Sequence, residues 1–562
     1  MIVNIIQRPE KSEAYEFQRK VSIDLGLRVT IALPASLIEE KEVVDLVKSD
    51  SEKYGHEVML WLDAKGFPWL LSREDKNKSI KDSIERFKTV FGYYPKAAGH
   101  YVLDSECIKI IRDCCPEIRT VIAGCFEEGV RVFHGCNNSW YLFSEGMSWT
   151  GWYPSRTHSL RPAADEDDWS GVVAVPHLSR DLVQAYEGRD DFFASHMPNV
   201  QRGLGNEGRI HEYDYNLIDQ YRMQDDFNGF DSYYQVHVSS WWLKGCPNVI
   251  DSDDITRENY VETMKYIARL CSEGKAKGMT LSEYGEYYRK NIPIGGQTVG
   301  VGKDILYGSG KQYFWLFGKS FRAVVDIFQG GSIGDLRPYA GRYEAVTGLD
   351  SDKPLMGSYP YIIQSQFRTG VKNHCCDGSR TTLIAEHNGE KLDMCFYPTK
   401  IKEVFRNGNA TKLVLEPVVM EFNDGYRIKV RTVYVFTDDG IEIYRQILER
   451  SEGECEFCEY IKGCYGFTEY PEEMRGITFG VDDVTQEFKY RNREVSREGG
   501  KCAFAEIPQV TARVELCADD AENVTAREGN LFEPYYLLTA KQKINNAKET
   551  KVCLKMKKIQ KI

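Results

Sequence analysis

The sequence lacks several features that would each assign a class of protein. No window approaches the roughly 18 apolar residues that a membrane span needs. The first residues, MIVNIIQRPEKSEAYEFQRK, contain no basic leader followed by an apolar core and a small-residue cleavage site. We therefore expect a cytoplasmic chain without a membrane partner. The net charge is −12 rather than positive, and this acidity argues against a nucleic-acid partner.

Motifs typical of metal and phosphate sites are also scarce. Cys455, Cys458 and Cys464 lie close together in CEFCEYIKGC, but no second CxxC follows at zinc-ribbon spacing, and an alternating strand explains the pattern as well. The 16 cysteines are expected to be reduced and to pack mostly as small hydrophobes. The glycines of IPIGGQTVGVGKDILYGSG follow no predicted strand and include no GK[ST] motif. No cofactor is expected.

The 562 residues exceed what one hydrophobic core usually organises, so two domains are expected. Residues 1–290 alternate short apolar runs with amphipathic helical patterns, two of which end on Gly26 and Gly92. This order predicts an α/β fold, a (β/α) barrel with seven or eight parallel strands. A doubly wound open sheet is the alternative. The strand candidates are residues 2–6, 28–33, 57–62, 96–102, 120–124, 172–176, 234–238 and 279–282.

The second half of the chain has a different pattern. Residues 336–562 contain long alternating segments such as YRIKVRTVYVFTDDGIEIYRQILER, in which two β-rich runs flank a TDDG turn. This pattern predicts an all-β sandwich domain. Between the halves, residues 291–335 are predicted to form a glycine-rich linker followed by an apolar helix in KQYFWLFGKSFRAVVDIF.

Polar and aromatic residues follow the predicted strands of the first half. In parallel barrels the reactive groups gather at the carboxyl ends of the strands, because the loops there vary while the barrel holds them in place. His100 and His237 could equally be core histidines that bond to backbone carbonyls. The expected catalytic residues are Glu10, Asp63 and His134, and the expected substrate-binding residues are Arg8, Trp61, His100, Asn137, His177, Arg180, His237 and Trp241.

These residue types fit carbohydrate chemistry. Cleavage of a glycosidic bond needs a proton donor and either a nucleophile or a base for water, commonly two carboxylates, which Glu10 and Asp63 could supply. A histidine can also act as a base near neutral pH, and His134 lies in a polar, aromatic stretch, RVFHGCNNSWY. Arg8 and Arg180 would suit an acidic sugar through paired hydrogen bonds. Alternatively, these two arginines are ordinary surface cations.

The order of elements over roughly the first third of the chain resembles the polysaccharide deacetylase (NodB-homology) superfamily. The corresponding segments are IVNIIQRPE, RVTIALPASLI, YGHEVMLWLD and IERFKTVFGYYPKAAGHYVLDSECIKII. Active members carry an Asp-Asp pair and a histidine pair that hold a metal. Here Arg8, Pro9 and Glu10 stand at the first place and residues 60–65 at the second, while His56 occupies a structural GHE position. The resemblance therefore implies the barrel without its metal site.

A barrel with a strand-end histidine and an appended β-sandwich is also loosely similar to inverting exo-sialidases. We expect a metal-independent, exo-acting glycoside hydrolase for a small glycoside or oligosaccharide, with an acidic sugar such as a sialoside as one option. One alternative is a metal-dependent carbohydrate deacetylase whose ligands have moved to strand-end histidines, namely His100, His134, His177 and His237. Another is a non-catalytic carbohydrate-binding module. The expected partner is a small carbohydrate. The sequence is also compatible with a homo-oligomer.

Overall fold

A computed structural model represents the protein, and it describes most of the chain. The described residues are 1–9, 13–66, 68, 71–101, 103–124, 149–157, 159, 161–187, 210–238, 243, 253–338, 362–364, 379–464, 477–507, 512–530, 535–545 and 547–559. They divide into two compact units, the first ending at Gly295 and the second beginning at Gly296, with Ile305–Tyr307 assigned to the first. In these ranges no helix is long and apolar enough to cross a membrane.

The first unit is built on a parallel sheet. Its strands are β1 (Ile2–Gln7), β2 (Thr30–Pro34), β3 (Glu57–Trp61), β4 (Ala97–Gly99), β5 (Thr120–Gly124), β6 (Val173–Pro176), β7 (Tyr233–His237) and β8 (Lys277–Gly278). They are ordered β6-β5-β4-β3-β2-β1-β7, and the short β8 also pairs with β1. Seven predicted strands are confirmed. The eighth prediction, a strand at 279–282, is wrong: β8 is Lys277–Gly278, and a helix begins at Leu281.

Helices alternate with these strands along the chain, as the sequence pattern predicts. They are α1 (Glu13–Asp24), α2 (Lys41–Tyr54), α3 (Arg73–Phe91), α4 (Ser105–Cys114), α5 (Leu182–Glu187), α6 (Ile210–Arg222), α7 (Asp225–Asn228), α8 (Asp253–Ser272) and α9 (Leu281–Asn291). Gly92 ends α3 with φ of 80°, the left-handed conformation that glycine adopts without steric cost. Asp104 caps α4 by accepting a hydrogen bond from the backbone N–H of Cys107.

The predicted barrel is not closed by strand pairing. β6 and β7 stand at opposite ends of the strand order, and no strand pairing joins them among the described residues. Residues 149–152 lie between them instead. Trp152 exchanges two backbone hydrogen bonds of 2.9 Å with Ala174 of β6, and the N–H of Tyr233 in β7 donates to the carbonyl of Trp149 at 2.8 Å. Because buried backbone groups need partners, this inserted segment substitutes for the missing strand pair. The expectation of a complete barrel is corrected accordingly.

Helix α9 packs its apolar side against the sheet. Leu281, Tyr284 and Tyr288 are buried in one cluster with strand residues such as Ile6 and Val173. Burying large aromatic side chains of this kind is a major source of stability. The remaining cluster members include Ile2, Ala32, Met59, Trp61, Ala97, Ile122, Val175 and Tyr233.

The second unit is formed by antiparallel sheets. Its strands are β9 (Thr298–Lys303), β10 (Gln312–Phe317), β11 (Phe321–Asp326), β12 (Ser332–Pro338), β13 (Ile363–Gln364), β14 (Arg380–His387), β15 (Glu390–Asp393), β16 (Ile401–Asn407), β17 (Ala410–Leu415), β18 (Val418–Glu421), β19 (Arg427–Phe436), β20 (Gly440–Arg450), β21 (Glu456–Cys464), β22 (Thr478–Val481), β23 (Val484–Glu487), β24 (Glu494–Glu498), β25 (Cys502–Ile507), β26 (Ala512–Cys517), β27 (Asn523–Glu528), β28 (Tyr535–Lys543) and β29 (Glu549–Lys558).

These strands form three sheets. Their orders are β13-β12-β11-β10-β9, then β15-β14-β21-β28-β27-β24, and then β16-β17-β19-β20-β29-β26-β25-β22-β23 with β18 beside β19. Side chains from the second and third sheets, such as Leu383, Phe457, Ile428 and Val430, share one apolar cluster. A β-rich unit with two sheets packed on one core agrees with the expected all-β domain.

The helix predicted in the linker is instead a pair of strands. Residues 312–317 and 321–326 form β10 and β11, which pair antiparallel with Phe317 opposite Arg322. A continuous apolar run does not distinguish a helix from a buried strand by periodicity. The β-branched and aromatic side chains of QYFWLF and FRAVVD favour a strand. By contrast, the TDDG hairpin is confirmed, since Phe436 of β19 lies opposite Ile441 of β20.

One expectation about cysteine is also corrected. Cys502 and Cys517 form a disulfide bond, whereas all cysteines were expected to be reduced. Eight further cysteines are free thiols, namely Cys107, Cys114, Cys115, Cys271, Cys395, Cys455, Cys458 and Cys553. Cys455 and Cys458 border or lie in β21, in agreement with the alternating strand as the explanation of CEFCEYIKGC.

Gly285 tests the packing of α9 against β5. A Cβ atom at Gly285 would lie 1.8 Å from Oγ1 and 2.9 Å from Cβ of Thr120. We expect Gly285→Ala to lower the free energy of unfolding by about 1–3 kcal/mol, because the helix must move away from the sheet. Gly278→Ala is the matched control, since nothing lies within 4 Å of its added Cβ. Equal thermal unfolding temperatures for the two variants would show that this contact does not position α9.

Candidate functional site

Six side chains converge at the carboxyl ends of the parallel strands. Arg8 follows β1 and Trp61 ends β3, while His100 and Tyr101 follow β4. His177 follows β6, and His237 ends β7. Because parallel strands point the same way, their carboxyl ends meet at one edge of the sheet. We call this group the strand-end cluster: Arg8, Trp61, His100, Tyr101, His177 and His237.

Trp61 is the common neighbour in the strand-end cluster. Its ring stacks on His100 with centroids 5.2 Å apart. It meets Tyr101 edge-on at 5.2 Å and His237 edge-on at 5.7 Å. The ring of His177 lies 6.1 Å away. Since Trp61 is only 2% exposed, its indole fixes the positions of the surrounding rings from behind.

Arg8 is held against two aromatic rings. Its guanidinium carbon lies 5.2 Å from the Trp61 ring centroid and 5.4 Å from that of Tyr101. Its Nη1 donates a hydrogen bond of 2.5 Å to the hydroxyl oxygen of Tyr101. Ring contacts and this hydrogen bond together orient a planar cation that recognises carboxylates in a fixed geometry. Arg8 and Tyr101 are partly exposed, whereas the other four members are buried.

His177 and His237 form a close imidazole pair. Their ring centroids are 4.2 Å apart. Nδ1 of His237 lies 3.2 Å from the backbone carbonyl oxygen of His177. A carbonyl oxygen only accepts, so Nδ1 of His237 carries the hydrogen, and in the neutral ring Nε2 carries the lone pair. The fold thereby selects the tautomer in which Nε2 of His237 is the basic nitrogen.

Polar residues inside the sheet hold the same carbonyl. Nε2 of Gln235 donates to the carbonyl oxygen of His177, and Oε1 of Gln235 accepts from the hydroxyl of Tyr233. That hydroxyl also lies 3.3 Å from Oδ1 of Asn4, and Nδ2 of Asn4 donates to Oγ1 of Thr30 at 3.1 Å. We call these residues, Asn4, Thr30, Tyr233 and Gln235, the interior polar chain. It fixes the carbonyl that orients His237.

His100 is electrically neutral near physiological pH. Burial, and secondarily the positive charge of Arg8, lower its pKa from 6.5 to about 3. A cationic imidazole would be costly in this position because it would lose its hydration and face a guanidinium. His100 therefore packs on Trp61 as an uncharged ring.

Two other predicted site residues have hydrogen-bond partners that are not members of the strand-end cluster. The carboxylate of Asp63 accepts hydrogen bonds from the backbone N–H and the hydroxyl of Ser36, at 3.1 and 2.9 Å. Arg180 is buried, and its backbone N–H and C=O both bond to the hydroxyl of Tyr221, at 2.9 and 2.8 Å. Four further predictions lie outside the described residues: Glu10, His134, Asn137 and Trp241.

Sequence reasoning missed Tyr101 and the interior polar chain. Tyr101 was treated as part of a strand, although it directly follows His100 in AGHYV. The interior polar chain does carry a signal: Asn4 interrupts the apolar run IVNII, and Gln235 interrupts YYQVH. A buried amide within a strand must find hydrogen-bond partners, so such residues mark polar contacts inside a core.

The described residues contain one group with the spacing of metal ligands. It consists of Cys502, Glu515 and Cys517 in the second unit, and its two cysteines are joined as a disulfide. Within the described part of the chain, the imidazole nitrogens of His100, His177 and His237 do not form such a group. As positioned, these histidines are arranged for hydrogen bonding and ring packing.

Residues 18–297 match a family model described as a domain of unknown function with a solved structure, DUF3863. A comparison with curated proteins gives no match.

Several solved structures are similar at low scores. A "putative glycoside hydrolase/deacetylase" from Parabacteroides distasonis shares 13% identity over 64% of this chain and 87% of its own, with a TM-score of 0.46. A 4-alpha-glucanotransferase from Thermococcus litoralis shares 12% identity over 100% and 99%, with a TM-score of 0.29. A galactose mutarotase-like protein from Clostridium acetobutylicum shares 8% over 46% and 98%, with a TM-score of 0.31. At such scores, functional interpretation depends on this chain's own residues.

The neutral state of His100 predicts a pH dependence. Below pH 6.5 the unfolded chain binds a proton at His100 that the folded chain does not bind until about pH 3. The free energy of unfolding therefore falls with decreasing pH across this window, by about 2 kcal/mol at pH about 5. We expect the free energy of unfolding of His100→Gln to fall less between neutral pH and pH about 5 than that of the native protein. Urea titrations at the two pH values would measure this difference. Parallel pH curves for the two proteins would contradict the burial of a neutral imidazole.

Proposed function

We propose that this protein is a carbohydrate-active enzyme, and specifically a glycoside hydrolase that binds an acidic sugar at the strand-end cluster. The observation that carries the proposal is the convergence of Arg8, Tyr101, Trp61 and the two paired histidines at one edge of the sheet. Aromatic faces and a few fixed polar groups are the usual means of holding a sugar ring. Arginine supplies two parallel N–H donors for a carboxylate.

Exposure assigns different roles to the members of the cluster. Arg8 and Tyr101 are partly exposed, so the substrate meets these two side chains first. Trp61 and His100 are buried behind them and keep both side chains in place. The sugar carboxylate would accept from the guanidinium of Arg8, whose direction is set by the hydroxyl of Tyr101 and the two rings.

Hydrolysis also requires proton transfer. In this proposal Nε2 of His237, which is buried within the cluster, acts as a base towards a water molecule or sugar hydroxyl that enters past Arg8 and Tyr101. The bond from Nδ1 to the His177 carbonyl stabilises the ring in the required tautomer. Glu10, two residues after Arg8 in the sequence, is proposed as the proton donor, and His134 remains a proposed catalytic residue. Asp63 is proposed with them as the second carboxylate, although its oxygens bond to Ser36.

A metal-dependent deacetylase is the second candidate. The observation in its favour is the hydrogen bond from His237 to a backbone carbonyl, which is how ligating histidines are usually oriented. His100, His177 and His237, with His134, would hold the metal, and a divalent ion would activate water for attack on an acyl group. The spacing of the described imidazoles requires rearrangement before three of them could share one ion.

Arg8 provides the sharpest test of substrate class. Using a panel of neutral aryl glycosides, glycuronides and sialosides, we expect turnover of an acidic glycoside. Arg8→Gln should lower kcat/KM for that substrate by about 100-fold, since a bidentate charged contact is lost. Arg73→Gln is the matched control, because the Arg73 side chain is 75% exposed, pairs with Glu106 and is not a member of the strand-end cluster. Unchanged kcat/KM for Arg8→Gln would remove the acidic sugar from the proposal.

Further variants separate the catalytic assignments. His237→Asn and Glu10→Gln should reduce kcat by about 100-fold or more if they transfer protons. Asp63→Asn should do the same only if Asp63 is a reacting group; if it only supports Ser36, kcat should stay within a few-fold of the native value. Bound sugar without turnover by the native protein would indicate a carbohydrate-binding module instead.

Metal analysis distinguishes the two enzymatic candidates. The glycoside hydrolase should keep its activity after exhaustive treatment with a chelator. A deacetylase should contain about one divalent ion per chain and release acetate from acetylated oligosaccharides only when that ion is present. Elemental analysis and acetate release measured on the same preparation would decide between them.

A further inference from the structure

Three cysteines lie in one row across neighbouring strands of the second unit. Cys502 of β25 is opposite Cys517 of β26, and Cys517 is opposite Cys553 of β29. Residues directly opposite each other in an antiparallel sheet project to the same face. The three sulfur-bearing side chains therefore share one face, with the disulfide between the first two and a free thiol on Cys553.

The backbone hydrogen bonds distinguish the two pairs. The N–H of Cys502 donates to Oδ1 of Asp482 at 2.9 Å, and its carbonyl accepts from the N–H of Asp482 at 2.9 Å. Both groups of Cys502 thus point away from Cys517. The pair Cys502–Cys517 is consequently the narrow type without mutual backbone bonds, in agreement with its Cα separation of 4.1 Å.

The same alternation places Cys517 in a wide pair with Cys553. In an antiparallel ladder, a residue that does not bond to one neighbour bonds to the other, so the backbone groups of Cys517 face β29. Hydrogen-bonded pairs have Cα atoms about 5.5 Å apart. This separation falls in the usual range of disulfide bonds, roughly 4.4–6.8 Å. Cys517 therefore has two cysteines within reach of a disulfide, one on each side.

We propose that Cys502, Cys517 and Cys553 form a thiol–disulfide exchange centre, in which Cys502 and Cys553 compete for Cys517. In the exchange step, the thiolate of Cys553 attacks Sγ of Cys517. The bond between Cys517 and Cys553 forms as the bond between Cys502 and Cys517 breaks. Cys502 leaves as a thiolate and takes up a proton equivalent to the one that Cys553 lost, so no external oxidant or reductant is consumed.

The surroundings permit this chemistry. All three cysteines are partly exposed rather than buried, so a small thiol can reach them. Burial, with the charges of Glu442 and Asp519, raises the pKa of the Cys553 thiol, while Lys551 and Lys555 act in the opposite direction. Since the thiolate is the attacking species, exchange should become faster as pH rises. The centre then accepts a low-molecular-weight thiol or disulfide at either outer cysteine.

The variant Cys502→Ser distinguishes an exchange centre from a structural disulfide, because only an exchange centre offers Cys517 a second disulfide partner. We expect the full-length variant, oxidised with oxidised glutathione, to form a Cys517–Cys553 disulfide in most chains. Blocking free thiols with N-ethylmaleimide and mapping peptides by mass spectrometry without reduction would detect it. Cys458→Ser is the matched control, since Cys458 lies in β21 of another sheet and should leave the Cys502–Cys517 bond unchanged. Recovery of both Cys517 and Cys553 as maleimide or glutathione adducts would overturn the proposal.

A second measurement uses the unaltered protein and does not depend on a variant folding normally. When every chain carries the Cys502–Cys517 disulfide and a free Cys553 thiol, labelling at alkaline pH should place maleimide on Cys502 as well as Cys553, because exchange releases Cys502. Cys553→Ser should abolish the labelling of Cys502. Label found on Cys553 alone in the native protein would show that no exchange occurs.

Discussion

The parallel alignment of seven strands is the constraint on which the first unit depends. It brings the carboxyl ends of β1, β3, β4, β6 and β7 to one edge, where residues separated by more than two hundred positions meet. β1 is central to this arrangement, because it pairs with β2, β7 and β8. Without that pairing, Arg8 would not lie beside Trp61, and the histidines would have no common neighbour.

Hydrogen bonds inside the sheet fix the orientation of side chains that strand alignment alone does not determine. The interior polar chain connects β1, β2 and β7 to the carbonyl of His177, and that carbonyl selects the tautomer of His237. Buried amides are retained in a core only when they are paired. A set of paired amides at this position therefore links the stability of the sheet to the chemistry available at its edge.

Much of the first unit could be predicted from the sequence. The strands recur as short apolar runs between amphipathic helices that end on glycine, and this local pattern survives in the fold. The positions of His100, His177 and His237 at strand ends followed from the same pattern. The prediction failed for KQYFWLFGKSFRAVVDIF. Apolar residues in this segment show neither helical nor strand periodicity, so two strands were predicted as a helix. The disulfide between Cys502 and Cys517 was missed because strand register is not visible in cysteine spacing.

The sequence by itself determined the alternation of elements, the change to β structure in the second half, and which polar residues stand at strand ends. These properties depend on neighbours within a few residues, where apolar periodicity and capping act. Only the tertiary structure decided that residues 149–152 fill the gap between β6 and β7, that Tyr101 joins Arg8, and that Asp63 bonds to Ser36. Such outcomes depend on strand register and side-chain direction, which are set by contacts between residues far apart in the chain.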